Sequence, residues 1–460
     1  MIDLDPNKIY EDLLDKRIDK SSAINKLIIL IENSNSIPIR FNSIQILAKI
    51  VENFENKGIS KKKIFKLFEN LMLSDSNEKI RNIAAKILGD KFLEDSLNPM
   101  KWALQHEHSP LCLDTIFQTL LKIVKNLGKI ENRLSKFLLI HELKKMPDKE
   151  FKIGFENIIE KRGFNNLTNY ELSLILLNYF SITYLRKTIW RLNYTIENCK
   201  VIQLDFQFKG LITVPEAVQN LDSLKTLSLR YNQITHIPEW ITKLKNLESI
   251  NLNVNTINQL PEKIGSLSNL KQLTLWKNDL EVLPDSICNL KALKVLNLRL
   301  NQLKELPHNI GNLKHLRELN LHDNKLNTLP NSISKLTSLE KLNLSWNLFQ
   351  TIPNSLSSLS KLKILDLERN ELSYIPETIG KLEKLQMMNL SDNKLSTIPK
   401  TIGLLNSLKY LNLSRNHIED LPESLLSLTS LRELNLTDNK LKEIPAGLKK
   451  LEENGLVIYF

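Results

Sequence analysis

The chain has 460 residues, of which 42% are hydrophobic and 25% are charged, a composition typical of globular rather than disordered or membrane-embedded proteins. This length predicts two or more folded units. The formal net charge is +11, but 63 basic residues against 52 acidic ones are a mild excess for this length. We therefore expect no strongly basic module and no nucleic acid as a partner.

The apolar stretches and the cysteines bear on location. The longest apolar stretches, such as Leu27–Ile31 and Leu172–Leu177, are far shorter than the roughly 20 residues of a membrane span. Met1–Pro6 is acidic and does not resemble a secretion signal. The 3 cysteines are widely separated, which fits neither a disulfide framework nor a metal site. The sequence therefore predicts a soluble, cytoplasmic protein.

Residues 1–127 are expected to form an α-helical domain. Amphipathic patterns with a period of 3.6 run through Ser21–Glu32 and Thr115–Lys125. Two similar stretches, Ile39–Ala48 and Ile80–Gly89, lie 41 residues apart. Paired helices at a period near 40 loosely resemble HEAT or armadillo repeats, although a third copy near Leu111–Leu121 is out of register.

Residues 128–200 are interpreted as a helical connector. They contain the apolar helix Tyr170–Tyr184 and the aromatic and basic run Thr188–Tyr194, and no convincing strand pattern precedes residue 201. We expect this segment to act as the N-terminal cap of the following repeats, because their first apolar surface otherwise faces solvent.

Residues 224–453 contain ten full repeats of 23 residues, starting at Leu224 and recurring without a slip. One unbroken copy reads Leu316, Leu319, Leu321, Asn324, Leu326, Leu329, Pro330, Ile333 and Leu336. The alternating leucines predict a short strand, and the apolar residues at every third position after the proline predict a 3₁₀ or helix-like returning arm. A single unit cannot bury its own apolar side chains, so the units must stack.

The two ends of the repeat region are irregular. Residues 201–223 form a variant first turn, with Lys209 where the other units have asparagine. Residues 454–460 are predicted to be an incomplete terminal turn, in which Val457, Tyr459 and Phe460 begin another strand.

These units resemble the leucine-rich repeat superfamily from Val201 to the C-terminus. The L-P-x-x-I-x-x-L half of the unit is similar to the 23-residue intracellular type found in Ras-binding scaffold proteins and plant intracellular Ras-group repeats. The resemblance implies an α/β solenoid, a horseshoe with a parallel β-sheet on its concave face, preceded here by an all-α domain. It also implies a protein partner bound on that face, with a small GTPase or its regulator as the first candidate.

The ninth position of every full repeat is asparagine, where the chain leaves the strand and its backbone groups need hydrogen-bond partners. We expect a structural ladder of buried side-chain amides that bind the neighbouring turn. The predicted ladder consists of Asn232, Asn255, Asn278, Asn301, Asn324, Asn347, Asn370, Asn393, Asn416 and Asn439.

The third, fifth and seventh positions are expected to face the concave surface, with the eighth at its edge. The seventh and eighth positions vary most between units and hold aromatic and arginine residues, which often dominate binding energy. Mutual packing, such as Arg299 on Trp276, is the alternative explanation. The predicted partner-binding residues are Arg230, Tyr231, Trp276, Arg299, His322, Trp346, Glu368 and Arg369.

No phosphate-binding loop, dinucleotide motif or H-E-x-x-H metal motif occurs in the sequence. We therefore predict no catalytic residues, no cofactor and no metal, and a non-enzymatic adaptor or scaffold in intracellular signalling. One alternative is a structural protein that self-assembles through Val457–Phe460, because an exposed strand edge is a template for pairing. A less favoured alternative is a regulatory subunit with an enzymatic N-terminal half.

Overall fold

The computed structural model describes residues 5–51, 61–452 and 455–460. Met1–Leu4 and the repeat boundary predicted at residues 453–454 lie outside the described residues. The described chain divides into two compact units, Met1–Arg191 with Ile196–Lys200, and Leu192–Thr195 with Val201–Phe460. Within the described ranges, none of the helices has both the length and the apolar character needed to cross a membrane.

The first unit is helical, as predicted. Its α-helices are α1 (Pro6–Leu14), α2 (Lys20–Asn33), α3 (Ile37–Val51), α4 (Lys61–Ser74), α5 (Glu78–Lys91), α6 (Leu97–His106), α7 (Pro110–Lys129), α8 (Arg133–Lys144), α9 (Lys149–Arg162) and α10 (Asn169–Thr188). Two 3₁₀ turns, Leu93–Asp95 and Phe164–Asn166, join them.

The helices pack as successive pairs. Helices α2 and α3, α4 and α5, and α6 and α7 pack as partners, and α3, α5, α7 and α10 also pack one on the next. Leu47 on α3, Leu88 on α5 and Leu120 on α7 are fully buried in this core. The two similar sequence stretches therefore occupy corresponding helices, α3 and α5.

Two arginines in these similar stretches make corresponding ion pairs. Arg40 on α3 pairs with Asp75 and donates from Nε to the Ile31 carbonyl at 2.8 Å. Arg81 on α5 pairs with Glu107 at 2.7 Å and donates to the Asp75 carbonyl at 2.9 Å. Each arginine thus ties its helix to the segment that precedes a later helix.

The second unit is a solenoid that contains most of one 13-stranded sheet, in which the strands follow chain order. The strands are β1 (Asn193–Glu197), β2 (Lys200–Asp205), β3 (Thr226–Ser228), β4 (Ser249–Asn251), β5 (Gln272–Thr274), β6 (Val295–Asn297), β7 (Glu318–Asn320), β8 (Lys341–Asn343), β9 (Ile364–Asp366), β10 (Met387–Asn389), β11 (Tyr410–Asn412), β12 (Glu433–Asn435) and β13 (Val457–Tyr459). From β2 onward each strand pairs with the next in parallel, as between Asn297 and Asn320.

The prediction that no strand precedes residue 201 was wrong. β1 begins at Asn193 and alternates between exposed and half-buried side chains. Asn198 and Cys199, which have φ of 48° and 61°, connect β1 to β2 as the two central residues of a hairpin turn. The sequence does not reveal this strand because it has only five residues, ends at the polar Glu197 and is followed at once by the turn.

The returning arms are 3₁₀ helices in all but the last full repeat. They span Glu216–Asn220, Glu239–Lys243, Ile264–Ser266, Asp285–Asn289, Ile310–Asn312, Asn331–Lys335, Asn354–Ser358, Glu377–Lys381, Lys400–Leu404 and Glu423–Ser427. The last full repeat has the short α-helix α11 (Ala446–Glu452) instead. The recurring leucines and isoleucines of strand and arm meet in the interior, where Leu319, Leu321 and Ile333 are at most 1% exposed.

Candidate functional site

The ten ladder asparagines make the same set of backbone hydrogen bonds. Asn324 Oδ1 accepts from the Leu303 amide at 3.0 Å, and its Nδ2 donates to the Leu298 and Leu321 carbonyls at 3.0 and 3.1 Å. Asn232 and Asn439, in the first and last full repeats, are half-buried, while the eight between them are buried. Each side chain links its own repeat to the one before it, which fits a structural rather than a binding role.

The eighth position of every full repeat has a left-handed backbone, with φ between 53° and 58°. This conformation normally favours glycine or asparagine, yet Val254 and Trp346 both adopt it. Hydrogen bonds to the next repeat hold the turn, as where the Val254 amide donates to the Trp276 carbonyl at 2.7 Å. The eighth-position side chains are therefore directed by the solenoid, whatever the residue type.

The side chains at positions three, five and seven project from one side of the sheet, here called the sheet face. The parallel register places equal positions opposite each other, so each position forms a row with a spacing of about 4.8 Å. The predicted binding residues lie at the seventh position of this face and at the adjoining eighth position. They form three groups along the solenoid.

The first group is at the N-terminal end. The rings of Phe208 and Tyr231 are stacked, with centroids 4.5 Å apart. Arg230 donates from Nε to Gln207 Oε1 at 2.7 Å, and its guanidinium carbon lies 6.0 Å from the Tyr231 ring centroid. Phe208 was not predicted, although it occupies the eighth position of the variant first turn and is 65% exposed.

The second group joins Trp276 and Arg299. The guanidinium carbon of Arg299 lies 5.8 Å from the Trp276 ring centroid, a cation–π distance. Trp276 Nε1 is buried without a hydrogen-bond partner among the described residues, and so is Thr274 Oγ1 on the same strand. Burying such groups unpaired costs about 1–3 kcal/mol each. This part of the face therefore keeps unsatisfied polar groups next to an aromatic ring.

The third group contains His322, Trp346 and Arg369. The His322 and Trp346 ring centroids are 5.9 Å apart, and the Arg369 guanidinium lies 3.8 Å from the Trp346 centroid. His322 Nδ1 is 2.7 Å from Ser345 Oγ. Burial, followed by the charge of Arg299, lowers the pKa of His322 and so favours the neutral imidazole.

Glu368 lies beside a carboxylate that sequence reasoning missed. Asp366 Oδ1 accepts from the Glu368 amide at 3.1 Å, and the Asn343 side chain donates to Asp366 Oδ2 at 3.2 Å. The Asn389 side chain donates to Glu368 Oε2 at 3.3 Å. Burial is the main reason why the pKa of Asp366 is raised. The signal was visible, because Asp366 is the one acidic residue among the fifth positions of the ten full repeats.

Ring contacts join Trp276 to Arg299 and His322 to Trp346 in the following repeat, and the charge of Arg299 also acts on His322.

The described residues offer no assembled metal centre. Across residues 5–51, 61–452 and 455–460, His, Cys, Asp and Glu do not gather in groups of three that could hold a metal ion. Cys112, Cys199 and Cys288 are buried free thiols, and burial raises the pKa of Cys199 to about 12. A thiol with so high a pKa is a poor nucleophile at neutral pH.

Family models match most of the solenoid. Residues 262–363 and 347–454 match a model described as a leucine-rich repeat region, and residues 213–257 match a second leucine-rich repeat model. The chain belongs to the leucine-rich repeat superfamily. Leucine-rich repeat domains are typically protein-interaction modules, and they build extended binding surfaces from stacked repeats. No curated protein sequence matches the chain.

Solved leucine-rich repeat structures resemble part of the chain. A leucine-rich repeat protein of Leptospira interrogans is 27% identical, with 56% of this chain and 83% of that chain covered and a TM-score of 0.35. The ectodomain of the Arabidopsis thaliana receptor kinase GASSHO1/SCHENGEN3, solved with Casparian strip integrity factor 2, is 29% identical. That match covers 57% of this chain and 38% of the ectodomain, with a TM-score of 0.48. This chain therefore spans well under half of the plant ectodomain.

Proposed function

We propose that the protein is a non-catalytic adaptor that binds a protein partner on the sheet face of its solenoid. The observation that carries this proposal is the exposure of aromatic side chains on and beside that face, above all Trp346, which is 39% exposed although the Arg369 guanidinium lies 3.8 Å from its ring centroid. Aromatic and arginine side chains that are held in place lose little conformational entropy on binding. The ladder asparagines explain the fold, so these groups are left to provide specificity.

The test is partner capture by the full chain and by a variant with Trp276→Ala and Trp346→Ala. We expect the wild-type chain to retain a specific protein from a cell extract, as identified by mass spectrometry, and the double variant to lose it while its thermal unfolding stays unchanged. Trp190→Ala is the matched control, because Trp190 is 74% exposed and belongs to the helical unit. Equal capture by the double variant would place the binding site elsewhere.

For the partner class, we propose a small GTPase or its regulator, acting in intracellular signalling. The support is the similarity of the L-P-x-x-I-x-x-L segment to Ras-group repeats. Purified small GTPases, loaded with GDP or with a non-hydrolysable GTP analogue, provide the direct assay. Saturable binding of one of them, lost with the two tryptophans, is the expected result. Capture of another class of protein would contradict the GTPase as the partner but would leave the adaptor function supported.

We propose that the helical unit is HEAT-like and that residues 128–200 contribute the N-terminal cap of the solenoid. The HEAT-like repeat is supported by the corresponding ion pairs of Arg40 on α3 and Arg81 on α5. A cytoplasmic location is supported by the three unpaired, buried cysteines, because reduced thiols are typical of that compartment.

A further inference from the structure

Part of the third-position row on the sheet face is apolar, whereas most of the row before it is polar. At the third position, five of the first six full repeats have polar residues, from Thr226 to Lys341. The next three repeats have Ile364, Met387 and Tyr410, which lie opposite one another on β9, β10 and β11. Met387 and Tyr410 are each 40% exposed, and Ile364 is half-buried. We call these three residues the apolar row.

The apolar row adjoins the two carboxylates described above. Asp366 follows Ile364 by two residues on β9 and Glu368 follows by four, so along an extended strand the carboxylates lie about 7 and 13 Å from the row. The hydrogen-bond donors that reach them within the described chain are amides, from Asn343, Asn389 and the backbone of Glu368. These neutral amides provide hydrogen bonds to the carboxylate oxygens but do not neutralise the negative charge.

Three cations of the same and the preceding repeat are paired with other acids. Lys341 contacts Glu318 at 2.7 Å, and Lys363 contacts Glu340 at 2.6 Å. Arg369 lies 3.7 Å from Asp392 and over the Trp346 ring. The charge of Asp366 and Glu368 is therefore complementary to a cation supplied from outside the chain.

The length of the apolar row indicates what can cover it. Three rungs spaced by about 4.8 Å span about 10 Å. Apolar side chains seven residues apart on an α-helix are separated by a rise of about 10.5 Å, with another apolar side chain between them. An amphipathic helix laid along the row can therefore place one apolar side chain on each of the three rungs, as in helix-in-groove recognition.

We propose that the partner presents an amphipathic helix whose apolar stripe covers Ile364, Met387 and Tyr410 and whose lysine or arginine binds Asp366 and Glu368. This inference rests on the proposed function, since it specifies the chemistry of a partner on the same sheet face. It extends the site two repeats beyond Glu368 and Arg369, toward the C-terminal end of the solenoid.

The test uses a phage-displayed random peptide library, selected on the full chain. We expect enriched peptides to carry apolar residues at i, i+3 or i+4, and i+7, together with a lysine or arginine. Met387→Ser with Tyr410→Ser should weaken their binding about tenfold or more, which corresponds to the loss of about 1.4 kcal/mol of apolar contact. Leu404→Ser, at an exposed apolar residue on a 3₁₀ arm, is the matched control.

The cation is tested with Asp366→Asn combined with Glu368→Gln. These changes should weaken binding of the selected peptide but not of the same peptide with its lysine or arginine replaced by glutamine. Asp279→Asn with Glu305→Gln, at two exposed acids in other repeats, should have no effect. Peptides that depend on Trp276 and are indifferent to the apolar row would overturn this inference and keep the proposed function. Peptides whose binding depends on neither Trp276 nor the apolar row would contradict both the proposed function and this inference. If no helical peptides are enriched, only the helical form of the partner segment is overturned.

Discussion

The guanidinium of Arg369 lies 3.8 Å from the centre of the Trp346 ring, and both residues occupy the eighth position of neighbouring repeats. Both have the left-handed backbone, with φ of 53° and 56°. The same turn that ends each strand therefore sets the aromatic ring and the cation at stacking distance. The backbone of the solenoid thus holds the proposed recognition element in place.

Arg369→Ala should weaken partner binding while leaving the fold intact. The ring of Trp346 loses its cation and gains rotational freedom, and such a contact is worth about 0.5–1 kcal/mol at an exposed site. Titration calorimetry with the captured partner measures the loss. Arg415→Ala is the control, because Arg415 is also at an eighth position and pairs with Asp438, but no aromatic contact is seen for it among the described residues. A larger effect at Arg415 would contradict the assignment.

Asn324→Ala should destabilise the solenoid by about 3 kcal/mol, since one backbone donor and two backbone acceptors lose their partner in the buried interior. Urea unfolding followed by circular dichroism measures the difference. Lys325→Ala, at the exposed neighbouring residue, is the control. Partner selectivity should be the same in Asn324→Ala as in the wild type, and loss of binding at unchanged stability would show that this asparagine belongs to the binding site.

Most of the fold could be predicted from the sequence because the 23-residue repeat fixes every strand and arm at once. The leucines of one unit, such as Leu319 and Leu321, determine the register of all the others. β1 was not predictable in this way, because it lies before the repeats and depends on the hairpin turn at Asn198-Cys199. Elements outside the 23-residue repeat, such as β1, are not fixed by its pattern.

Val254→Asn should stabilise the protein by about 1 kcal/mol. Val254 has φ of 57°, and the left-handed conformation costs a β-branched residue more than it costs asparagine. Thermal unfolding measures the gain. The same substitution at Val282, which is 57% exposed and has no positive φ, should not stabilise. A lower melting temperature for Val254→Asn would show that contacts of the valine outweigh the backbone cost.

Gly311→Ala should destabilise more than Gly380→Ala. A Cβ at Gly311 meets the Ser332 carbonyl oxygen at 1.9 Å, so the backbone of the next repeat has to move. At Gly380 the nearest atom, the Thr401 carbonyl oxygen, is 2.7 Å away, and the required movement is smaller. Chemical unfolding of the two variants side by side provides the comparison. Equal stability of both would mean that the repeats can shift apart without cost.

Glu107 should make stability depend on pH in the acid range. Burial by itself raises the pKa of Glu107, but hydrogen bonds from Arg81 and from the Ser109 and His108 amides outweigh it and hold the pKa at about 2, against 4.5 normally. Because the pKa is lower in the folded state, this stabilisation is fully present above pH 4.5 and is lost as the pH falls toward 2.

Glu107→Gln should accordingly destabilise the chain at pH 7, and its deficit relative to wild type should narrow as the pH is lowered from 5 toward 3. Urea unfolding across that range measures both curves. Glu94→Gln, at an exposed acid of the same unit, should follow the wild type at every pH. Parallel curves for wild type and Glu107→Gln would contradict a role of this carboxylate in the acid response.

The candidate site was less predictable than the fold. The sequence locates Trp276, Arg299 and His322 on neighbouring repeats, but it does not show which rings and cations touch, such as His322 and the Trp346 ring at the following eighth position. Asp366 and the apolar row lie at the fifth and third positions, where most repeats have other polar residues, so they stand out only as local departures from the repeat.

The asparagine ladder affects how single repeats of the solenoid open locally. Each ladder side chain bonds only to its own and the preceding repeat. Thermal opening of one repeat should therefore destabilise its immediate neighbours most and distant repeats least. Fraying should start at the terminal repeats, where Asn232 and Asn439 are only half-buried. A partner lying across the rungs from Trp276 to Tyr410 would fasten seven successive repeats together, so the bound solenoid should open as one block where the free one opens piecemeal.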